Sequence, residues 1–92
     1  MNHEVVNTIE ALLFGAGRPL RLSEIRSLLD NSGISEDLAS IKKSINLIEE
    51  RYQNTSLEIK KYHQAIDFKL KKAILHVYQV YGMKKLQEFQ KL

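Results

Sequence analysis

The sequence predicts an α+β, mostly helical domain: a winged helix-turn-helix with a small antiparallel sheet and a C-terminal helix. Three observations carry that expectation. Residues 38–52 place Leu38, Ile41, Ile45, Ile48 and Tyr52 at an unbroken 3-4-3-4 spacing, the stripe of an amphipathic helix. Residues 57–59 and 66–70 alternate apolar and polar side chains on either side of a polar link at His63 and Gln64, which reads as a hairpin. Between two helical segments, Pro19 bars continuation while Leu20 and Leu22 share one side of an extended piece. The order helix, short strand, helix, helix, hairpin is that of a winged helix, and the short piece becomes the third strand of its sheet.

Taken in chain order, the first helix covers residues 3–16, with Val5, Val6, Ile9, Leu12, Leu13 and Ala16 on its apolar side. Gly15 and Gly17 end it, as glycine does just past a helix. After the extended piece at 19–22, Ser23 is the expected N-cap of a second helix whose apolar face is Ile25, Leu28 and Leu29. Asp30-Asn31-Ser32-Gly33 is a turn by composition. Ser35 is the expected cap of the third helix, with Glu36 and Asp37 favourable at its positive end. That helix is expected over residues 38–52, buried through Leu38, Ile41, Ile45 and Ile48. Residues 72–92 are helical in pattern apart from Gly82. The expected division is a winged-helix domain at 1–71 and a helical extension at 72–92.

Ninety-two residues make one domain near the low end of what a single core can hold together unaided. No apolar run approaches the ~18 residues of a membrane span, and without cysteine neither disulfides nor thiol chemistry is available. A cytoplasmic place fits that composition. The net charge of +3 is unevenly spread: residues 1–59 sum to −3 and residues 60–92 to +6. A basic C-terminal third suits either a solvated face or contact with nucleic acid or an acidic protein. His3, His63 and His76 fall on different elements without ligand spacing, and no phosphate-cradling glycine loop or nucleophile motif is present. No catalytic residue, cofactor or metal is expected.

The segment "EALLFGAGRPLRLSEIRSLL", followed by "ISEDLASIKKSINLIEERYQ" and the "LEI…DFKL" hairpin, resembles the N-terminal winged-helix domain of the segregation and condensation protein B (ScpB) family over residues 8–71. Its specific part is Ala11-Leu12-Leu13-Phe14 joined to Gly17, Pro19-Leu20 and Glu24-Ile25. The resemblance implies a non-enzymatic, nucleoid-associated subunit of a condensin-like SMC complex. Such a subunit self-associates, holds the kleisin subunit (ScpA) and serves chromosome condensation and segregation. Two departures stand out. One winged-helix unit is present where the family usually has two in tandem, and the link Tyr62-His63-Gln64-Ala65 lacks the glycines common at that wing. The other reading of the same fold is a DNA-binding transcriptional regulator.

Four surfaces are candidates. A DNA-reading third helix presents Arg, Lys, Asn or Gln to base edges. Here the face opposite the stripe is Glu36, Ser40, Lys43, Leu47, Glu50 and Asn54, which suits a protein contact around Leu47 better than phosphates. Lys60, Lys61, Lys69, Lys71 and Lys72 make the hairpin basic, so it could touch DNA weakly and without sequence preference; lysines also blunt edge strands. Phe14 lies off the apolar side of the first helix, either covered by another element or anchoring a partner. Last, Tyr78, Tyr81, Phe89 and Leu92 line one side of the C-terminal segment. That stripe outruns one small core and predicts a two-fold homodimer, unless the helix bends at Gly82 and folds back.

Overall fold

The computed structural model describes residues 3–72 together with Ile74, His76 and Val77. Helix α1 (His3–Ala16) forms where the first apolar side was expected, burying Val5, Val6, Ile9 and Leu13 while Leu12 and Ala16 are half-covered at its margin. It ends at Gly17, whose φ of 65° is left-handed backbone open to glycine at little cost. Strand β1 (Leu20–Arg21) follows and leads directly into α2 (Leu22–Asn31).

The start of α2 differs from the sequence expectation. Its cap is Arg21, not Ser23, because the chain leaves the strand two residues earlier. Arginine has no acceptor to offer, so the helix end is satisfied from the other side: the Arg21 N–H donates to Glu24 Oε1 at 3.2 Å. Arg18 grips the same carboxylate with both guanidinium nitrogens, at 2.8 and 3.3 Å. The Arg18 guanidinium first, and the Arg21 N–H second, hold the Glu24 carboxyl down at about 2 from its ordinary 4.5. A depressed carboxyl pKa contributes stability that is complete above 4.5 and disappears as pH falls toward 2. Side-chain NMR titration is expected to find Glu24 still ionised at pH 3. Glu24→Gln is expected to flatten the dependence of melting temperature on pH in that window, and a normal Glu24 titration would contradict the bracing role.

Helix α2 ends in a Schellman motif. The Ile34 N–H donates to the Leu29 carbonyl at 2.9 Å and the Gly33 N–H to Asp30 at 3.0 Å, with Gly33 at φ 82° and Ile34 packed on the core. Only Ile25 and Leu29 of α2 are fully buried. Leu28, expected beside them, is 39% exposed, since a ten-residue helix turns that flank toward Arg18.

Helix α3 (Leu38–Arg51) is capped by Asp37 rather than Ser35, the Ser40 N–H donating to Asp37 Oδ1 at 2.8 Å. Its buried track is Ile41, Ser44, Ile45 and Ile48. Leu38, expected in that track, is 39% exposed: it is the first residue of the helix and reaches past the core into a surface recess. Tyr52 closes the helix and is half-buried.

Strands β2 (Leu57–Tyr62) and β3 (Ala65–Leu70) are longer than the alternating runs suggested and meet across a two-residue loop, His63-Gln64. The sheet is antiparallel with order β1-β3-β2, Leu20 pairing with Ile66 and Ile59 with Phe68. Gln64 carries the loop at φ 61°, and its carbonyl accepts the Leu22 N–H at 3.2 Å, tying the wing to α2. A side chain in left-handed backbone is strained, so Gln64→Gly is expected to stabilise the fold by about 0.5–1 kcal/mol in chemical denaturation. No gain would contradict that strain.

Helices α1 and α3 are locked together at one end. Arg51 Nη1 donates to Glu10 Oε1 at 2.7 Å and Asn7 Oδ1 at 2.9 Å, and the Tyr52 hydroxyl donates to Glu10 Oε2 at 2.7 Å. Desolvation first, then the Glu10 carboxylate, push the Tyr52 phenol upward. Under this lock lies Phe68, whose ring meets Tyr52 edge-on at 5.0 Å and Phe14 at 5.7 Å. Of the expected C-terminal helix, Lys72, Ile74, His76 and Val77 are helical. The expected stripe of Tyr78, Tyr81, Phe89 and Leu92, and the bend at Gly82, lie outside the described residues.

Candidate protein-interaction surface

Two of the anchors expected from the sequence are in view, on separate elements. Phe14 faces outward at the end of α1, 41% exposed, with one ring edge against Phe68. The chain covers one side of the ring, as the first sequence alternative expected, and leaves the other open. Leu47 stands on the outward face of α3 and is 39% exposed.

Four of the five lysines expected to make the hairpin basic, all but Lys72, are placed among acceptors of their own chain. Lys61 Nζ reaches across from β2 to α3, donating to Asn46 Oδ1 at 2.7 Å and pairing with Glu49 at 3.1 Å. Lys71 donates to the Gln53 carbonyl at 2.7 Å. Register sets Glu58 directly opposite Lys69 and Lys60 directly opposite Asp67, so the outer side of the hairpin alternates in sign. Lys60 also lies 4.0 Å from Glu58, and Lys69 donates to the Tyr62 hydroxyl at 3.4 Å. Asp67 is buried, and desolvation pushes its carboxyl upward against the pull of Lys69. Lys72 is exposed at the start of the next segment. Because β2 is an edge strand, Lys60 and Lys61 also stand where lysine guards against edge pairing.

The consequence for α3 is specific. Asn46 is the residue type that reads base edges, and here its carbonyl oxygen accepts from Lys61. Arg51, the cation at the far end of the helix, is held by Glu10 and Asn7. What α3 leaves outward is Lys42, Lys43, Leu47 and Glu50, with Leu38 at its start.

Sequence reasoning missed a recess where α2, α3 and the wing converge. One part, about 240 Å³, is lined by Leu22, Lys42, Ile45, Asn46, Tyr62 and Ile66 among others. A second, about 260 Å³, shares Leu22, Lys42 and Gln64 with it and adds Arg21 and Leu38. The available signal was Leu38: its place on the first turn of α3 meant that the stripe had no partner there. A further recess of about 350 Å³ lies between α1 and α2, lined by Leu12, Gly15, Ala16, Leu20 and Leu28 beside Arg18. Among the described residues no three His, Asp or Glu side chains gather as metal ligands would, and no helix is long and apolar enough to cross a membrane.

Compared with known proteins, the chain is matched over residues 7–91 by the family model for segregation and condensation complex subunit ScpB. The match runs beyond the winged-helix part, which carried the resemblance in the sequence, through most of the C-terminal segment. Among curated proteins the chain has no match.

Proposed function

The chain belongs to the segregation and condensation complex subunit ScpB family, and from that premise we propose that it is a non-enzymatic subunit that holds partner proteins within an SMC complex. The partners are the kleisin (ScpA-like) subunit and, through it, the SMC protein. In this reading the subunit works on the nucleoid in the cytoplasm, contributes to chromosome condensation and segregation, and self-associates as a homodimer. It touches DNA at most weakly and without sequence preference.

The observation that carries this over DNA readout is the Lys61–Asn46–Glu49 contact. A winged helix that reads DNA needs free donors on the third helix and free cations on the wing. Here the wing's Lys61 is held by Glu49 and by the Asn46 carbonyl oxygen, and Leu47 and Leu38 are the exposed large apolar side chains of α3. Exposed apolar groups amid mixed charges suit protein contact.

A pull-down from the host with the tagged chain tests the reading: the kleisin is expected among the captured proteins. Retardation of duplex DNA, with a steep salt dependence and no kleisin captured, would favour the transcriptional regulator instead. Light scattering at tens of micromolar tests self-association, with a dimer mass expected and a monomer mass against it. A dimer that survives deletion of residues 83–92 would place the interface away from the C-terminal stripe.

A further inference from the structure

The geometry points to the recess between α2, α3 and the wing as the docking site for an acidic, leucine-bearing protein segment. This deepens the protein-holding reading above and rests on it. The floor is carbon: Ile45 and Ile66 at the base, Leu22 half-buried on one wall and the exposed Leu38 on the other. Around that floor stand Arg21, Lys42 and Lys61, and no carboxylate lines either part of the recess. The three cations are not equivalent. Lys61 is compensated by Glu49 at 3.1 Å and Arg21 lies in the field of the Glu24 carboxylate, whereas Lys42 forms no ion pair among the described residues.

Arg21 and Lys42 on the rim, with only Arg21 sharing a carboxylate of its own chain, set the chemistry of the occupant. A carboxylate-bearing segment gains from both rim charges, and its leucine side chains displace water from Leu22 and Leu38. A nucleic-acid backbone gains from the rim charges and the donors at the edge, but nothing in it matches the apolar wall of Leu22 and Leu38. The neighbouring groups add hydrogen-bond capacity at the edge: the Tyr62 hydroxyl and the Gln64 amide both line the recess. Tyr62 is 48% exposed, so its ring can close over a bound segment as an aromatic anchor.

The test uses the whole 92-residue chain and a synthetic helix-forming probe peptide. The probe carries leucines at i, i+3, i+4 and i+7 and glutamates on its other face. Controls are the same peptide with lysine for every glutamate, and a short duplex DNA. Amide chemical shifts of Leu22, Leu38, Lys42, Asn46 and Tyr62 are expected to move with the acidic peptide and not with the basic one. Arg21→Glu with Lys42→Glu is expected to weaken the acidic peptide by about tenfold or more. Arg21→Gln with Lys42→Gln removes the same charges without setting a carboxylate beside Glu24. Since both side chains are exposed, this variant is expected to melt with the parent chain and still to weaken the acidic peptide; Leu38→Ala, which removes the apolar wall alone, is expected to weaken binding independently of charge. Absent or scattered shifts, unchanged binding by the charge-reversed variant, or stronger movement of the same amides by the duplex would each overturn the proposal. The two readings fail separately. Kleisin captured equally by parent and charge-reversed chains removes the recess and leaves the protein-holding reading. Acidic peptide seated in the recess, with no kleisin captured, does the reverse.

Discussion

Phe68→Ala is expected to cost about 3–5 kcal/mol, enough to unfold a large share of the chain at ambient temperature. Phe68 is 5% exposed on the central strand of the sheet, and two rings lean on it edge-on, Tyr52 from the end of α3 and Phe14 from α1. Truncation leaves a ring-sized void where three elements meet. The void also removes the packing behind Tyr52, whose hydroxyl holds Glu10 of α1. Phe68→Leu keeps most of the volume and is expected to cost much less, about 1.5 kcal/mol at most. Denaturant melts of the two variants check this; equal loss from both would mean that the rings matter for more than the space they fill.

Ile45→Ala is expected to cost about 2–5 kcal/mol. Ile45 is 1% exposed in the middle of α3, within the core formed by Ile9 of α1, Ile25 and Leu29 of α2, and Ile66 of β3. No neighbour can collapse into the space without moving a helix, and each helix is fixed at an end, α2 by its Schellman turn and α3 by the Arg51–Glu10 contact. Ile45→Val, which removes one methylene, is expected to cost about 0.5–1.5 kcal/mol. A thermal melt unchanged in Ile45→Ala would show that α3 is not the central helix.

Both predictions rest on side chains whose burial was legible from spacing alone. The period of 3.6 residues fixed α1 and α3, and the period of two fixed the hairpin, because each core-facing position repeats where the backbone geometry requires. Element ends were harder to read. Ser23 and Ser35 look like helix caps, yet Arg21 and Asp37 hold those places, since tertiary connections decide where a strand hands over to a helix. For α2 the decisive group was Glu24, reached by Arg18 from the preceding loop, a partnership that spacing does not reveal. Leu28 and Leu38 were misplaced for a related reason: periodicity names a face of a helix, and only the neighbouring elements decide how far along its length that face is covered.

The surface was less legible than the core. Lysine enrichment in the hairpin was plain, but its meaning depends on pairs formed between elements. Lys61 meets Asn46 and Glu49 across fifteen and twelve residues of chain, and Lys60 and Lys69 face Asp67 and Glu58 only because of the strand register. A basic wing in sequence becomes, in the fold, a wing whose Lys60, Lys61 and Lys69 each stand beside or opposite a carboxylate, while Lys71 is held by a backbone carbonyl. The recess beside it arises in the same way, from residues of three elements that carry no shared motif.

The central claim, a subunit that holds protein rather than reading DNA, has a direct measurement. Size-exclusion chromatography with light scattering, on the full chain mixed with the host's kleisin and a labelled duplex DNA at physiological salt, separates the possibilities in one run. The account predicts that the kleisin co-elutes with the chain while the duplex elutes alone. Co-elution of the duplex with the chain, the kleisin emerging free, would contradict it.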